Sequence, residues 1–282
     1  MSDGSKAVLI TGCSTGIGRA TALQLAAVGA YTVYATARKP ETLEELEAGG
    51  CRTLALDVCD EASMTAAVAA VEEAEGAVWA LVNNAGYSQS GAVESIPPES
   101  VRKQFETNVF GLIRMCQLVL PKMRERGEGR IVNIGSMGGK LTFPGGGIYH
   151  ATKYSLEAIS DAMRWELAGF GVKVVLIEPG LITTEFGETA HGSVAAAGEG
   201  GPYAEFNRHV AKTTAAVYEG PMARLGAGPE AVAAKIEKVL AAPRPRPRYT
   251  VTPSAKLMIG QRKLLSDRMW DRAMTTQFKR PR

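Results

Sequence analysis

The chain has 282 residues, which is enough to bury one substantial core and is a common size for a single-domain α/β protein. Its net charge of +3 is close to balance, so the composition offers no case for a nucleic-acid binder. The chain has no run of 18 apolar residues and segment 1–6 lacks a signal-peptide pattern, so we expect a cytoplasmic protein with no transmembrane segment.

A strand, a glycine turn and a helix are predicted at the start of the chain. Ala7-Val8-Leu9-Ile10 is typical of a buried strand, and Thr11 to Gly18 follows with the spacing G-x-x-x-G-x-G before a helical pattern. Glycines let the backbone approach a ligand closely, and the helix directs its free N–H groups and positive dipole end at the turn. This arrangement predicts a pyrophosphate site. The alternative is a plain tight turn, because the spacing differs from the commoner G-x-G-x-x-G.

The second strand, predicted at 32–37, ends at Arg38 and Lys39. Sheets that bind NAD usually present an Asp or Glu here, about twenty residues after the glycines, to accept hydrogen bonds from the ribose hydroxyls. Arg38 cannot accept such a bond, but its guanidinium can pair with a 2′-phosphate. We therefore expect NADP(H) to be preferred; the alternative is a solvated Arg-Lys turn before a helix.

Further short aliphatic strands are predicted at 52–56, 80–82, 130–134 and 173–177, and helical patterns separate them. This alternation predicts a doubly wound Rossmann-type parallel sheet with helices on both faces, folded as a single domain over 1–282. Ligands of such sheets lie beyond the carboxyl ends of the strands. The glycine turn, segment 83–86, Ser136 and segment 179–180 all fall at these ends.

Ser136, Tyr149 and Lys153 form a candidate proton-transfer site. A helix that begins near Tyr149 places its phenol and the Lys153 ammonium on one face, because the two residues are four apart. A free phenol titrates at about 10, and a neighbouring ammonium should lower that pKa. The Ser136 hydroxyl can hold the oxygen that gains or loses the proton. By itself, a Tyr-Lys pair at this spacing is common on helix surfaces.

The cysteines and histidines are assigned no chemistry. The four cysteines lack C-x-x-C spacing and the three histidines lack ligand spacing, so we predict no metal site and ordinary packing. These residues are Cys13, Cys51, Cys59, Cys116, His150, His191 and His209.

Segment 185–222 breaks the regular pattern and is rich in Gly, Ala and polar residues. A long irregular insert is usually a functional lid or disordered, and its position after segment 179–184 favours a lid over the substrate. Its apolar and aromatic residues predict a lipophilic pocket, although packing of the lid on the body would explain them equally well. The set is Phe186, Val194, Tyr203, Phe206, Val210, Val217, Tyr218 and Met222, with Tyr87 from an earlier loop.

Segment 243–282 forms a C-terminal extension. Its opening run of alternating Pro and Arg predicts an extended, solvated connector to an edge strand at 249–252. A nucleic-acid or acidic-membrane contact is the alternative for this run. From Ser254 onward the pattern predicts one amphipathic basic helix that packs on the body or on a second subunit, with association to a membrane surface as the alternative.

Taken together, these motifs resemble the short-chain dehydrogenase/reductase family in its single-domain branch, over most of the chain. Thr11 to Gly18 is similar to the glycine motif of the family, and Asn83-Asn84-Ala85-Gly86 is similar to the motif that ends its fourth strand. The stretches 11–14, 33–38 and 178–180 most resemble members that act on hydroxysteroids and retinol.

The resemblance implies a catalytic tetrad and a cofactor site. The tetrad would be Asn108, Ser136, Tyr149 and Lys153. The cofactor would be held by Gly12, Ser14, Thr15, Gly16, Ile17, Gly18, Arg38, Asp57, Val58, Asn84, Ala85, Gly86, Tyr149, Lys153, Pro179, Gly180, Ile182 and Thr184. Tyr149 would exchange the proton, Lys153 would also bind the nicotinamide ribose, and Asn108 would hold a water that links Lys153 to solvent.

We therefore expect an NADP(H)-dependent oxidoreductase that interconverts a lipophilic ketone and a secondary alcohol, of steroid, retinoid or polyketide-like size. A 3-oxoacyl thioester is the main alternative substrate, because Arg208, Lys212 and Arg224 leave room for an acyl carrier or coenzyme A. Two functions without turnover are also compatible with the motifs: an NADP-binding redox sensor, and a scaffold recruited through the basic tail. A homodimer or homotetramer is the expected assembly.

Overall fold

The computed structural model describes residues 6–184 and 201–281 and contains a seven-stranded parallel sheet in the order β3-β2-β1-β4-β5-β6-β7. The strands are Ala7–Ile10 (β1), Thr32–Ala37 (β2), Arg52–Ala55 (β3), Ala80–Asn83 (β4), Gly129–Ile134 (β5), Val172–Glu178 (β6) and Arg248–Thr250 (β7). The central strands β1 and β4 are buried along their whole length, as expected for aliphatic runs covered on both faces.

Helices cover both faces of this sheet. They are Gly16–Val28 (α1), Glu44–Ala48 (α2), Glu61–Glu75 (α3), Pro98–Phe105 (α4), Gly111–Arg126 (α5), Gly147–Glu166 (α6), Ala204–Glu219 (α7), Pro229–Ala241 (α8), Pro253–Leu264 (α9) and Asp267–Met274 (α10). One core cluster joins the sheet to α3, α5 and α6, for example through Val68, Met115 and Leu156. A second joins the opposite face to α1 and α8, for example through Leu25 and Ile236. The predicted doubly wound fold is confirmed.

The strand order reverses at β1, which pairs with β2 on one side and with β4 on the other. Helices that follow β1 and β4 leave the sheet on opposite faces, so a crevice opens between them at the carboxyl ends of the strands. The glycine turn follows β1 and segment 83–86 closes β4. The topology therefore brings two of the predicted motifs to one crevice.

Three parts of the chain differ from the sequence-based expectation. Residues 204–219, expected to be irregular, form α7, and residues 185–200 of the predicted lid lie outside the described residues. The single predicted C-terminal helix is two helices, separated at Leu265-Ser266. Arg248, expected to be solvated, begins β7 and forms ion pairs with Glu157 and Asp161. Tertiary contacts decide the first and the third, whereas the second C-terminal helix begins at a local cap, in which Ser266 Oγ accepts from the Met269 N–H at 3.4 Å.

The two C-terminal helices pack against the body of the protein. Trp270, Met274 and Phe278 form a small core with Leu141 and Val210. The Trp270 indole N–H also donates to the Thr142 carbonyl at 3.3 Å. None of the helices within residues 6–184 and 201–281 is long and apolar enough to cross a membrane.

Candidate active site

Tyr149 and Lys153 lie in the first two turns of α6, which begins at Gly147 after the glycine turn 145–146. The Lys153 ammonium is 5.8 Å from the centre of the Tyr149 ring, so the spacing of four residues does place both groups on one helix face. Lys153 is buried, and its Nζ donates to the Ile134 carbonyl at 2.8 Å. Burial lowers the pKa of Lys153 to about 8, because the charged ammonium loses solvation.

Ser136 follows β5 and faces Tyr149. The Ser136 Oγ accepts from the Gly138 N–H at 3.0 Å, which orients the hydroxyl at the start of a short 3₁₀ turn. Burial raises the pKa of Tyr149 well above its usual range; the hydrogen bond with Ser136 opposes this rise and Tyr218 adds to it. The net pKa of Tyr149 is therefore raised, not lowered as the sequence predicted. Burial outweighs the hydrogen bond, and Tyr149 stays protonated, as a proton donor requires.

Asn108 lies on a π-helical turn, Glu106–Phe110, between α4 and α5. Its Nδ2 donates to the Tyr87 carbonyl at 3.0 Å and lies 3.1 Å from the Thr152 hydroxyl. Its Oδ1 accepts from the Tyr87 N–H at 3.1 Å. The side chain of Asn108 thus fixes the loop after β4 to α6, beside the helical turn that carries Tyr149. It does not line the cleft itself.

The glycine turn has the geometry that a phosphate group needs. Gly12 and Gly16 adopt φ values of 72° and 57°, which L-residues with side chains rarely adopt. A Cβ on Gly12 would lie 2.9 Å from the Ala85 Cα, and one on Gly18 would lie 2.3 Å from the Gly12 carbonyl oxygen. The first turn of α1 carries no acidic residue. The glycines therefore let the turn pack closely against Ala85 and let α1 begin directly behind it, which leaves the N-terminus of α1 without a side chain that would block a phosphate group. We call this turn the glycine cradle.

Asn84 reinforces the same turn from β4. Its Nδ2 donates to the carbonyl oxygens of Thr11 and Gly12 at 2.9 and 2.8 Å. The Thr11 hydroxyl in turn accepts from the backbone N–H groups of Asn84 and Ala85, both at 3.0 Å. The two predicted motifs are thus parts of one hydrogen-bonded unit.

One cleft of about 1420 Å³ connects the predicted site residues. Gly18 and Asn108 are the two that do not line it; Gly18 instead lets α1 approach the turn closely. The cleft is lined by Gly12, Ser14, Thr15, Gly16, Ile17, Arg38, Asp57, Val58, Asn84, Ala85, Gly86, Ser136, Tyr149, Lys153, Pro179, Gly180, Ile182 and Thr184. These residues fit an extended dinucleotide, with the cradle at the phosphates and Tyr149 at the far end.

Arg38 lies at the outer end of this cleft, where β2 ends. Its side chain is exposed and forms no ion pair with any residue that the structure describes. Asp57 lines the cleft as well, and its Oδ1 accepts from the Cys59 N–H at 2.9 Å. We call Arg38, Asp57 and the glycine turn the nucleotide end.

The model of the short chain dehydrogenase family matches residues 6–193. The chain belongs to the short-chain dehydrogenase/reductase family. The NADPH-dependent 3-dehydrocapnine reductase of Ornithobacterium rhinotracheale is 34% identical over 284 residues, covering 96% of this chain and 97% of the relative. The 3-ketodihydrosphingosine reductase of Bacteroides thetaiotaomicron is 40% identical over 179 residues, covering 64% of this chain and 65% of the relative.

A solved short-chain dehydrogenase from Streptomyces avermitilis is 34% identical, with a TM-score of 0.78, and the match covers 97% of this chain and 96% of that one. The protein is therefore an oxidoreductase of this family, whose fold binds a nicotinamide cofactor. Similar solved structures are described both with NADP+ and with NAD. Family membership thus leaves the choice of cofactor open.

The cleft of this short-chain dehydrogenase is also lined by a set of apolar side chains, which we call the apolar chamber. Its lining includes four residues of the predicted lid: Val210, Val217, Tyr218 and Met222. Tyr87 lines the cleft too, whereas Tyr203 bonds to Glu94 and Phe206 packs beside the small C-terminal core. Phe186 and Val194 lie outside the described residues. Part of the predicted apolar set thus lines the cleft.

Other residues of this apolar chamber were not assigned to the site from the sequence. They come from the turn before α6 and from the C-terminal segment 257–278: Phe143, Leu257, Met258, Leu265, Trp270, Met274 and Phe278. Their sequence pattern indicated only a packed amphipathic helix. Nothing local distinguishes an apolar residue that packs on the body from one that faces a cleft, so no sequence signal could have found them.

His150 supports the catalytic turn without a chemical role. Its Nδ1 donates to the Gly138 carbonyl at 2.9 Å, and its Nε2 accepts from the Phe143 N–H at 3.3 Å. Burial lowers the pKa of His150 to about 4, so the ring is neutral and keeps both bonds at neutral pH.

Proposed function

We propose that this protein is an NADP(H)-dependent ketoreductase that interconverts a lipophilic ketone and a secondary alcohol, of steroid, retinoid or polyketide-like size. One observation carries the proposal: a single cleft joins the exposed cation Arg38, the glycine cradle, Tyr149 and the apolar chamber. Two relatives, named for the reduction of a 3-dehydro and a 3-keto compound, support a ketone substrate.

In the reducing direction, Tyr149 donates a proton to the carbonyl oxygen of the substrate. The nicotinamide, when bound, supplies the hydride to the carbonyl carbon. Ser136 donates a hydrogen bond to the same oxygen and stabilises its developing charge. Lys153 keeps a positive charge near the Tyr149 ring and stabilises the phenolate that remains after proton donation. Alcohol oxidation uses the same groups in reverse.

Lys153 is also proposed to bind the nicotinamide ribose, and Asn108 to hold a water that relays protons. The side chain of Asn108 already makes three contacts with Tyr87 and Thr152. We therefore place its main contribution in fixing α6 relative to the loop after β4. Pro179, Gly180, Ile182 and Thr184 are proposed to contact the nicotinamide, since they line the cleft beyond β6.

NADP(H) is favoured by the charge at the nucleotide end. Arg38 has no carboxylate partner among the described residues and offers a planar set of N–H donors to a 2′-phosphate. The relative named as NADPH-dependent agrees with this choice.

The deciding experiment measures kcat/KM side by side for a steroid ketone, a bulky aryl ketone and an acetoacetyl thioester, each with NADPH and with NADH. We expect the two lipophilic ketones with NADPH to be the best pairs. A clear preference for the thioester would identify a 3-oxoacyl thioester reductase instead. Arg208, Lys212 and Arg224 do not line the cleft, whereas Arg102 and Lys103 do. No turnover with any pair, but tight NADPH binding, would identify a redox sensor.

We also propose a cytoplasmic homo-oligomer. Phe110, Tyr154, Trp165 and Phe170 are large apolar or aromatic residues that lie exposed on or beside α5 and α6. Exposed aromatic side chains are common at subunit contacts. Light scattering after size-exclusion chromatography tests this: a dimer or tetramer is expected, and a monomer at micromolar concentration would refute it.

A further inference from the structure

The C-terminal segment that contains α9 and α10 concentrates positive charge. Residues 253–282 contain eight Lys or Arg residues and two Asp residues, a net charge of +6. Because the whole chain carries +3, the remaining residues carry −3. No step of the proposed mechanism uses these C-terminal charges.

Most of these cations are exposed and have no ion-pair partner. Arg262 pairs with Asp267, and its guanidinium lies 5.7 Å from the centre of the Trp270 ring. The other six cations within residues 253–281 form no ion pair with any residue that the structure describes, so pairing within the chain does not account for them. We call these six the basic surface: Lys256, Lys263, Arg268, Arg272, Lys279 and Arg280.

Four residues of the basic surface share one open groove of about 570 Å³. Arg268 and Arg272 are four positions apart on α10 and therefore project from the same helix face. Guanidinium and ammonium groups grouped in this way bind phosphate through charge-assisted hydrogen bonds. The groove, whose only carboxylate comes from Asp271, is lined by Arg268, Asp271, Arg272, Thr275, Phe278, Lys279 and Arg280.

Large apolar side chains are exposed among these cations. Leu264 follows Lys263 and is 86% exposed, and Met269 follows Arg268 and is 55% exposed. Cations mixed with exposed apolar side chains fit the surface of an anionic bilayer, where the cations contact headgroups and the apolar groups enter the acyl boundary. A nucleic acid would bind the cations and leave the apolar side chains in water.

The basic surface adjoins the cleft that contains Tyr149. Phe278 lines both the groove and the cleft. Leu257 on α9 lines the cleft and is also exposed, so α9 borders the opening of the cleft. A lipophilic molecule that enters beside α9 from a bilayer would therefore reach the apolar chamber without crossing bulk water.

We propose that the basic surface docks on an anionic lipid bilayer, with headgroup phosphates in the groove and the cleft open toward the membrane that dissolves the substrate. The delivery of substrate rests on the proposed function, whereas the docking does not.

Sedimentation of the full-length protein with vesicles tests the docking without turnover. The wild type should sediment with vesicles of equimolar phosphatidylglycerol and phosphatidylcholine but not with phosphatidylcholine alone. Salt at about 1 M should release it, because the Debye length falls to about 3 Å. The double variant Arg268→Gln/Arg272→Gln should bind about thirtyfold more weakly, because each Lys or Arg near an anionic surface contributes about fivefold.

The double variant Lys6→Gln/Lys238→Gln is the matched control, because it removes the same charge at the opposite edge of the sheet. Lys6 precedes β1, and the end of α8 lies at the start of β5, where Arg130 Nη2 donates to the Ala242 carbonyl at 3.2 Å. This control should bind vesicles like the wild type. An equal loss in both double variants would overturn the proposal. Wild-type protein that stays in the supernatant also overturns it, whether the basic surface then binds duplex DNA or a second copy of the chain.

Turnover of a steroid ketone dissolved in the vesicles tests the delivery of substrate. The wild type should reduce it faster from the anionic vesicles than from phosphatidylcholine vesicles, in proportion to the fraction of protein bound. Arg268→Gln/Arg272→Gln should lose this difference and keep the wild-type kcat/KM for an aryl ketone in buffer. Equal wild-type rates from both kinds of vesicle would refute delivery.

The two experiments separate the docking from the proposed function. A protein that binds the anionic vesicles but reduces no ketone would refute the proposed function and leave the docking in place. A protein that reduces ketones in buffer but binds no vesicle would refute the docking alone.

Discussion

The nucleotide end and the apolar chamber belong to one cleft but are built in different ways. The nucleotide end consists mainly of backbone, namely a glycine turn closed by Thr11 and Asn84 and the exposed end of β2. The apolar chamber consists of side chains from the turn before α6, from α7 and from α9 and α10, which meet only in the folded protein. Backbone geometry restricts sequence strongly, whereas an apolar wall accepts many sequences. Substitutions at the two ends should therefore affect different kinetic constants.

The largest effect is expected between the two ends, at Tyr149. Tyr149→Phe removes only the hydroxyl, so turnover should fall by at least about a hundredfold, while binding of NADPH and of the ketone should persist. Steady-state kinetics measures the loss of turnover, and fluorescence titration with NADPH measures whether binding persists. Tyr154→Phe, on the exposed side of the same helix, is the matched control and should be neutral. Near-normal turnover in Tyr149→Phe would refute the mechanism.

The glycine cradle should be the most sensitive part of the nucleotide end. Gly18→Ala places a Cβ 2.3 Å from the Gly12 carbonyl, so α1 must move away from the turn. Overpacking of this kind costs about 1–3 kcal/mol, and we expect affinity for NADPH to fall by up to about a hundredfold. Gly260→Ala is the control, because no atom lies within 4 Å of its Cβ. Calorimetric titration of both variants with NADPH measures the difference; equal affinities would show that the cradle does not hold phosphate.

Arg38→Gln tests the charge at the same end. Charge-assisted hydrogen bonds contribute about 1–3 kcal/mol, so kcat/KM with NADPH should fall about tenfold to a hundredfold. The kcat/KM with NADH should change little. Lys39→Gln, one position along the same turn, is the control and should keep the preference for NADPH. If the wild type uses NADH equally well, the assignment of Arg38 to a 2′-phosphate is wrong.

The smallest effect is expected in the apolar chamber. Leu257→Ala removes a side chain that lines the cleft and is only partly buried, at 44% exposure. Partial loss of a buried leucine contact is worth about 1 kcal/mol, so KM for a bulky ketone should rise about fivefold. KM for NADPH should not change. Leu264→Ala on the same helix is the control, because Leu264 is 86% exposed and lines no part of the cleft. Equal effects of both variants would place the substrate elsewhere.

Most of the fold follows from local pattern. The strands at 7–10 and 32–37 are where the alternation of short aliphatic runs and helical segments predicts them. Differences arise where tertiary contacts override local preference. Residues 204–219 form a helix because Val210 and Asn207 are buried against the body. The Arg248 side chain is partly buried because it forms ion pairs with Glu157 and Asp161 on α6.

The glycine turn and the Tyr149-Lys153 pair could be predicted because the residues of each lie within a few positions of each other. A turn that needs positive φ favours glycine, and two groups on one helix face need a spacing of about four residues. Both features can therefore be seen in the sequence. The pKa of Tyr149 could not be predicted, because it depends on burial and on Tyr218, which is distant in the chain.

The sequence by itself therefore determined the sheet, the glycine turn, the cation at the end of β2 and the position of Tyr149 and Lys153 on one helix face. Only the tertiary structure decided that α9 and α10 line the apolar chamber. It also decided that the charged side chains of Lys140, Glu157, Glu178 and Arg248 lie together. The physical reason is how far apart in the chain the interacting residues lie. Backbone conformation and helix-face geometry are set by neighbours along the chain, whereas burial, charge pairing and cleft shape are set by contacts between residues far apart in the chain, such as Glu157 and Arg248, which are separated by 91 positions.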